Sequence, residues 1–355
     1  MAKSLFRSTV MTGLLAAAMV ASLASLGYAQ DPPGGSLQGL REFLGPTIAV
    51  QKRHADRLMA IPDVVGTAVG LTADGQPAIK VYTKAAAMAG IPDTLDGVPV
   101  EVEITGEFLA LPTAKKSSSP AAKGQGGIDP KSRFSRPVPI GVSTGNEGEC
   151  SAGTIGARVT DGTNVYALSN NHVYALENSA SPGSDVLQPG RYDTNCSNDP
   201  SNSIGTLAAF QPIVFSTSAS NKIDAAIALS NAANLGNATP SNGYGVPQSA
   251  TVSASVGQAV QKYGRTSGLT KGQVTGINAT LLVGYSSGTA RFVDQIIVGS
   301  NKPFIKAGDS GSLLVTNSSR NPVGLLYAGN SSGTTAVANP INDVLIAFGV
   351  TIDGQ

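Results

Sequence analysis

The chain has little charge: Asp, Glu, Lys and Arg make up 13% of its 355 residues, and the formal net charge is +1. A balance this close to neutral gives no reason to expect nucleic acid or an acidic membrane surface as a partner. In place of charge the sequence has 42 glycines and many small polar residues. Short apolar runs separated by turn residues complete a composition that predicts a mainly β protein.

Cysteine and histidine are also scarce, with two residues of each. They never cluster at metal-ligand spacing, so we expect no metal and no other cofactor. Two cysteines suit an exported protein with one disulfide, here Cys150–Cys196, and two unpaired buried thiols are the alternative. His54 has charged neighbours on a predicted helix, which indicates a solvated face.

The N-terminus contains the one apolar run long enough to suggest a membrane. Residues 10–26 are apolar or small, Lys3 and Arg7 precede them, and residues 27–29 read Gly-Tyr-Ala. This order is typical of a secretory signal peptide over residues 1–29. A membrane anchor is the alternative, but polar residues interrupt the run. We therefore expect a secreted or periplasmic protein without stable membrane insertion after signal cleavage.

Three parts of different composition follow the signal. Residues 30–112 combine helical periodicity with strands, such as the alternation from Val98 to Ile104, and predict a small α+β accessory domain. Residues 113–137 have no apolar face and predict a flexible linker. In residues 138–355, short apolar runs alternate with turn clusters, which predicts β-barrels.

The stretch Gly-Asp-Ser-Gly at residues 308–311 is the strongest sign of chemistry. Glycine on both sides lets the backbone turn sharply and leaves the Ser310 hydroxyl exposed as a candidate nucleophile. The backbone amides of Gly308 and Ser310 can then converge on a developing oxyanion. Taken alone, the four residues could equally form a polar turn before a strand.

A base and an acid upstream favour the catalytic interpretation. His172 follows a predicted strand in a polar turn and is the candidate base. Asp224 opens a short apolar strand, where a half-buried carboxylate can orient an imidazole. If Asp224 lies far from His172, Asp193 is the alternative acid.

Three motifs in this order resemble those of trypsin/chymotrypsin-type serine proteases. Residues 169–172 resemble the small residues before the family's histidine, residues 224–228 its Asp-then-apolar strand, and residues 308–311 its nucleophile loop. The resemblance covers roughly residues 140–350. It implies a double six-stranded β-barrel, here preceded by the small α+β domain, and hydrolysis of peptide bonds through an acyl-enzyme.

The sequence resembles the Narrow-Leaf-One type of trypsin-like protease most closely. Residues 188–193, 264–268 and 340–345 carry this finer resemblance, and residues 36–111 resemble the N-terminal domain found before such protease domains. We expect this module to restrain or chaperone the protease domain; a targeting or oligomerisation role is the alternative.

The resemblance also implies substrate contacts. Phe304, six residues before the serine, would lie at the base of the primary specificity pocket, and Tyr327, Ala328 and Gly329 would form its wall. Residues 303–307 contain no acid. We therefore expect small or medium apolar side chains at the cleaved bond rather than Lys or Arg.

In this family the Asp of the nucleophile loop, here Asp309, often pairs with a new N-terminus after zymogen cleavage. The stretch directly before the predicted protease domain contains Arg136-Pro137, and a bond before proline is a poor tryptic site. That mode of activation is therefore doubtful in this chain.

A polypeptide is the expected substrate. Two other functions are compatible with the same residues: a catalytically inactive binding protein on the same barrel scaffold, or an esterase using the same triad. The sequence does not indicate an oligomeric state.

Overall fold

The computed structural model describes residues 37–86, 90–110 and 127–355. The predicted signal peptide and residues 113–126 of the predicted linker lie outside these ranges, and both stay predictions. Within the described ranges, no helix is long and apolar enough to cross a membrane.

Strands dominate the described chain, as the composition predicts. The helices are α1 (Leu37–Met59), α2 (Asn171–Tyr174) and α3 (Ile341–Phe348), with 3₁₀ turns at Arg191–Thr194 and Pro200–Asn202. The first ten strands are β1 (Val64–Leu71), β2 (Pro77–Thr83), β3 (Thr94–Leu95), β4 (Val98–Ile104), β5 (Phe108–Ala110), β6 (Ser143–Asn146), β7 (Gly153–Thr154), β8 (Ala157–Thr160), β9 (Val165–Ser169) and β10 (Asp185–Leu187). The remaining strands are β11 (Ser203–Phe210), β12 (Ala226–Ser230), β13 (Ala259–Gly264), β14 (Gly268–Tyr285), β15 (Gly288–Gly299), β16 (Leu313–Thr316), β17 (Pro322–Gly329), β18 (Thr335–Pro340) and β19 (Thr351–Ile352).

The first barrel-like sheet has eight strands in the order β19-β8-β9-β12-β11-β10-β6-β7. Strand β12 shows that this sheet is buried on both of its faces. Ala226 and Ala228 belong to the apolar cluster inside this sheet, whereas Ile227 belongs to a second cluster shared with β16 and β17. Successive side chains of a strand point to opposite faces, so an unbroken apolar run serves two cores at once.

The second barrel is a closed ring of six strands, β13-β16-β17-β18-β15-β14, which the pairing of β14 with β13 completes. Its interior is apolar and contains Val260, Val274 and Leu326. Two barrel-like sheets in a mainly β chain are the architecture that the sequence predicted. The long β14–β15 hairpin extends beyond the ring.

The N-terminal part of the described chain has the predicted α+β composition. The helical periodicity corresponds to one continuous helix, α1, with Pro46 inside it. The Asp74-Gly75 turn joins β1 and β2 as an antiparallel pair, and β4 runs parallel to β2. Strand β1 also pairs with β14 of the second barrel, so the two parts share one sheet. Whether residues 30–112 form a separate domain stays a prediction.

Residues 127–137, the described end of the predicted linker, contact the first barrel. The Phe134 amide donates to Gln188 Oε1 at 3.0 Å, and Arg136 Nη1 donates to Asn234 Oδ1 at 3.0 Å. This end of the segment is therefore tied to the barrel by specific hydrogen bonds.

Candidate active site

His172 lies in the single-turn helix α2, directly after β9. His172 therefore lies where β9 of the first sheet ends. The Asn170 side chain fixes the turn by donating to the Asp224 backbone carbonyl at 2.7 Å. The His172 amide donates to Asp224 Oδ1 at 3.2 Å, and the imidazole Nδ1 lies 2.6 Å from Asp224 Oδ2. One carboxylate thus holds both the backbone and the ring of the histidine.

Asp224 has no exposed surface, although the sequence predicted only half-burial. Asn339 on β18 brackets it, accepting from the Asp224 amide at 3.1 Å and donating to the Asp224 carbonyl at 3.1 Å. The Tyr285 hydroxyl donates to Asp224 Oδ2 at 2.9 Å. A buried carboxylate is costly unless hydrogen bonds satisfy it, and the Tyr285 hydroxyl, the His172 amide and the His172 ring provide them, whereas Asn339 holds the Asp224 backbone.

Ser310 lies in a loop whose backbone depends on glycine. Gly308 and Gly311 have φ values of +92° and +93°, a region that favours glycine. A Cβ at Gly311 would lie 2.3 Å from the Thr154 carbonyl oxygen, so that site also excludes a side chain. The Ser310 amide carbonyl in turn accepts from the Thr154 amide at 2.8 Å, which locks the loop against β7.

His172 and Ser310 line one cavity of about 330 Å³, together with Ala110, Glu149 and Glu177. The Ser310 hydroxyl donates to the Tyr327 carbonyl at 3.3 Å. His172 Nε2 is buried and has no hydrogen-bond partner among the described residues. The structure therefore places all three predicted triad residues at one site. His172 and Asp224 are in hydrogen-bond contact, whereas Ser310 and His172 are not. Catalytic hydrogen bonds are often loose without substrate.

The two predicted oxyanion donors are available for a ligand. Within the described ranges, neither the Gly308 amide nor the Ser310 amide donates to a backbone carbonyl. Thr154 Oγ1 donates to the Gly308 carbonyl at 2.8 Å, which fixes the orientation of the peptide unit that follows. Their role as an oxyanion hole stays a prediction.

Asp309, the residue before the serine, is fully buried and pairs with an equally buried Lys262 on β13. Lys262 Nζ lies 3.0 Å from Asp309 Oδ2. Burial would raise the pKa of the Asp309 carboxyl, but the Lys262 charge and hydrogen bonds from Ser267 and Thr266 outweigh it and lower that pKa. An internal lysine therefore pairs with the acid that the family resemblance would pair with a new N-terminus.

Asp193, the alternative acid, is not near the imidazole. Its carboxylate forms a bidentate pair with Arg265, which includes Arg265 Nε to Asp193 Oδ2 at 2.7 Å. Ser143 Oγ donates to the same carboxylate at 2.6 Å, and the Arg265 guanidinium lies 5.3 Å from the centre of the Tyr192 ring. Asp193 thus braces the 3₁₀ turn against Arg265, directly after β13, and among the described residues Asp224 is the acid that contacts His172.

Two of the predicted pocket residues lie inside the protein. The Phe304 ring is fully buried in the second barrel beside Val260, and it does not line the cavity of Ser310. Tyr327 is also fully buried, with its ring centre 4.9 Å from that of Phe292. Substrate contact by either side chain stays a prediction.

Ala328 and Gly329, the other two, lie on an edge of β17 that is already occupied. Strand β5 pairs antiparallel with it, Ala110 opposite Ala328 and Leu109 opposite Gly329. A segment from the N-terminal part therefore runs along β17 towards the cavity that Ala110 lines. No pattern in the sequence indicated this pairing.

Three further residues of the site were not predicted: Tyr285, Asn339 and Lys262. Asn339 directly precedes residues 340–345 but is not part of that segment. None of the three residues lies in a recognisable motif. A lysine inside a short strand, between Gln261 and Tyr263 of β13, was the one signal available for Lys262.

The predicted disulfide is present, joining Cys150 to Cys196 with a Cα–Cα distance of 5.0 Å. It links the loop that carries Glu149 to the end of the 3₁₀ turn at Asp193. In the described ranges, no group of three or more His, Cys, Asp or Glu residues is placed to hold a metal ion.

Comparison with known proteins agrees with this architecture. A family model described as the Nal1 C-terminal domain matches residues 204–339. Streptogrisin-A of Streptomyces griseus is 39% identical over 102 residues, which are 28% of this chain and 32% of streptogrisin-A. The fold is that of the trypsin/chymotrypsin-like serine proteases.

Solved structures are similar at lower identity. Protease A of Thermobifida fusca is 20% identical with a TM-score of 0.44, covering 61% of this chain and 100% of its own. The chymotrypsin of Cellulomonas bogoriensis is 24% identical with a TM-score of 0.42, covering 61% of this chain and 99% of its own. The match to streptogrisin-A spans about a third of that protein's length.

Proposed function

We propose that this protein is a serine endopeptidase that cleaves peptide bonds through Ser310, His172 and Asp224. The observation that carries the proposal is the 2.6 Å contact between His172 Nδ1 and the buried Asp224, beside a cavity that Ser310 also lines. The imidazole nitrogen that would face substrate, Nε2, has no partner among the described residues. An oriented base with a free nitrogen beside a serine hydroxyl is what acyl transfer requires.

In the proposed reaction, Ser310 Oγ attacks the carbonyl carbon of the substrate while His172 Nε2 accepts the hydroxyl proton. Asp224 keeps Nδ1 protonated and stabilises the imidazolium. The Gly308 and Ser310 amides bind the oxyanion. His172 then returns the proton to the leaving amine, and a water molecule repeats the sequence to release the acyl group.

The substrate backbone would bind along β17. An extended polypeptide would pair with Ala328 and Gly329, and β5 now occupies this edge in the way such a polypeptide would. The N-terminal part, by placing its own strand there, restrains the enzyme. A pure targeting role for this part would not require a strand beside the cavity.

Substrate preference follows from the loop before the serine. Residues 303–307 contain no carboxylate. Burying the charged group of Arg or Lys without a partner costs on the order of several kcal/mol. On this ground the proposed preference at the cleaved bond is for apolar side chains over Arg or Lys; Glu149 and Glu177, the two carboxylates that line the cavity of Ser310, lie outside this loop.

We further propose that the enzyme is exported and belongs with the Narrow-Leaf-One type. The Cys150–Cys196 disulfide and the signal-like residues 1–29 support export. The match of the Nal1 C-terminal domain to residues 204–339 supports the type.

The test compares three activities of the purified full chain: labelling by a fluorophosphonate probe, digestion of casein, and hydrolysis of a small ester. An endopeptidase shows all three, and Ser310→Ala loses all three. An esterase keeps labelling and ester hydrolysis but leaves casein intact. An inactive binding protein on the same scaffold shows none of them.

A further inference from the structure

Tyr285 is the last residue of β14, where the strand turns into β15. Its hydroxyl lies 2.9 Å from Asp224 Oδ2, the same oxygen that contacts His172 Nδ1. Burial, and after it the Asp224 charge, raise the pKa of the Tyr285 phenol well above its usual value. The phenol is therefore neutral at ordinary pH and has a hydrogen to donate to this carboxylate oxygen.

The Tyr285 ring is held in place by other rings. Its centre lies 6.0 Å from that of His172 and 5.6 Å from that of Phe215, both edge-on at 70°, and 6.1 Å from that of Phe292. Edge-to-face pairs at these distances are favourable. The ring thus contacts the imidazole while its hydroxyl contacts the acid that orients that imidazole.

Among the described residues, no Lys or Arg forms an ion pair with Asp224, and its one charge partner within ion-pair distance is His172. The carboxylate depends on hydrogen bonds, and within the described ranges the Tyr285 hydroxyl is the one side-chain donor besides the imidazole. Removing this donor would leave a buried oxygen with one contact fewer and the carboxylate freer to rotate.

We propose that Tyr285 is a positioning residue of the triad: its hydroxyl fixes the Asp224 carboxylate, and its ring fixes the His172 imidazole. The proposal rests on the proposed function. Tyr285 touches neither the substrate nor the reacting serine in this scheme. Its contribution should therefore affect the chemical step and leave substrate binding unchanged.

The decisive variant is Tyr285→Phe, which removes the hydroxyl and keeps the ring. In the full chain, kcat for an apolar peptide substrate should fall about tenfold, which corresponds to about 1.4 kcal/mol in the barrier, while KM stays within about twofold. Tyr285→Leu, which also removes the ring contact with His172, should lower kcat further. A Tyr285→Phe enzyme with unchanged kcat would overturn the proposal.

Tyr82→Phe is the matched control. Tyr82 is a fully buried tyrosine of the apolar cluster against which the partly buried Tyr285 packs, but its hydroxyl has no hydrogen-bond partner among the described residues. The same chemical change there should leave kcat and KM as they are. A loss of kcat equal to that of Tyr285→Phe would mean that any buried tyrosine hydroxyl has this effect, and the proposal would be wrong.

Proton NMR separates this inference from the proposed function. The His172 Nδ1 proton, hydrogen-bonded to Asp224, should give a low-field resonance in the unmodified full chain. Tyr285→Phe should move it to lower field, because the shared oxygen then accepts one hydrogen bond fewer, and Tyr82→Phe should not move it. If the protein has no peptidase activity but the resonance shifts in this way, the proposed function is wrong and the Tyr285 contact is supported. If the resonance does not move, the proposed role of the Tyr285 contact is wrong.

Discussion

Lys262 Nζ lies 3.0 Å from Asp309 Oδ2, and neither side chain has any exposed surface. The pair joins β13 to the nucleophile loop one residue before Ser310. Asp309 also accepts from the Lys306 amide at 2.9 Å and from the Thr266 amide at 2.8 Å. In the uncleaved chain, this internal pair and these hydrogen bonds therefore hold the nucleophile loop.

Lys262→Met should destabilise the protein strongly, because it leaves the Asp309 charge buried and unpaired. Breaking a buried pair in this way costs about 3–5 kcal/mol. Denaturant unfolding measures the change in the free energy of unfolding. Lys84→Met, which breaks the exposed pair of Lys84 with Glu107, is the control and should cost no more than about 1 kcal/mol. Equal losses in the two variants would contradict the role assigned to Lys262.

Leu109→Pro should raise peptidase activity if β5 restrains the enzyme. Leu109 pairs with Gly329 on one side and Gly284 on the other, and proline there removes the backbone N–H and weakens the pairing. Leu109→Ala keeps the backbone donor and is the matched control. We expect kcat/KM for a short peptide to rise several-fold in the proline variant alone. Unchanged activity in both variants would show that β5 does not restrain the site.

The disulfide should contribute substantially to stability. Cys150 and Cys196 are 46 residues apart in sequence, and in the chain-entropy account closing such a loop stabilises the fold by about 4 kcal/mol. The Cys150→Ala/Cys196→Ala double variant should melt at a lower temperature than the unmodified chain, as followed by circular dichroism. A reductant should lower the melting temperature of the unmodified chain and leave that of the double variant unchanged. A reductant without effect on either would contradict the prediction.

Alkaline pH should destabilise the fold through its buried tyrosines. Burial raises the pKa of the Tyr82, Tyr285 and Tyr327 phenols well above its usual value. These phenols stay neutral in the folded state, whereas in the unfolded chain they ionise at about pH 10. Their contribution is complete below about pH 10 and is lost as pH rises above it, because the unfolded state then binds fewer protons. Tyr82→Phe should make the fall in unfolding free energy with pH shallower; an unchanged slope would count against this account.

The sequence predicted those parts of the site that local patterns encode. Ser310 is recognisable because its glycines set the loop backbone, and Asp224 because one carboxylate interrupts an apolar strand. The barrels follow from alternating apolar runs. For these features the residues that matter are neighbours in sequence, so periodicity and turn chemistry suffice to find them.

The rest depends on contacts between residues far apart in the chain. Tyr285 reaches Asp224 from 61 residues away, and Asn339 reaches it from 115. Whether the β5 segment pairs with β17 or ends in solvent depends on how the whole sheet closes. A single sequence without related sequences contains no signal for such pairings, which is why Tyr285, Asn339 and the occupied edge of β17 were not predicted.

The nucleophilicity of Ser310 tests the central proposal most directly. The full chain, its Ser310→Ala variant and its His172→Ala variant are incubated with a fluorophosphonate probe, and the labelled peptide is identified by mass spectrometry. The account predicts a covalent adduct on Ser310 in the unmodified chain and none in either variant, with all three proteins showing the same circular dichroism spectrum. No adduct in the unmodified chain, or one that persists in Ser310→Ala, would contradict it.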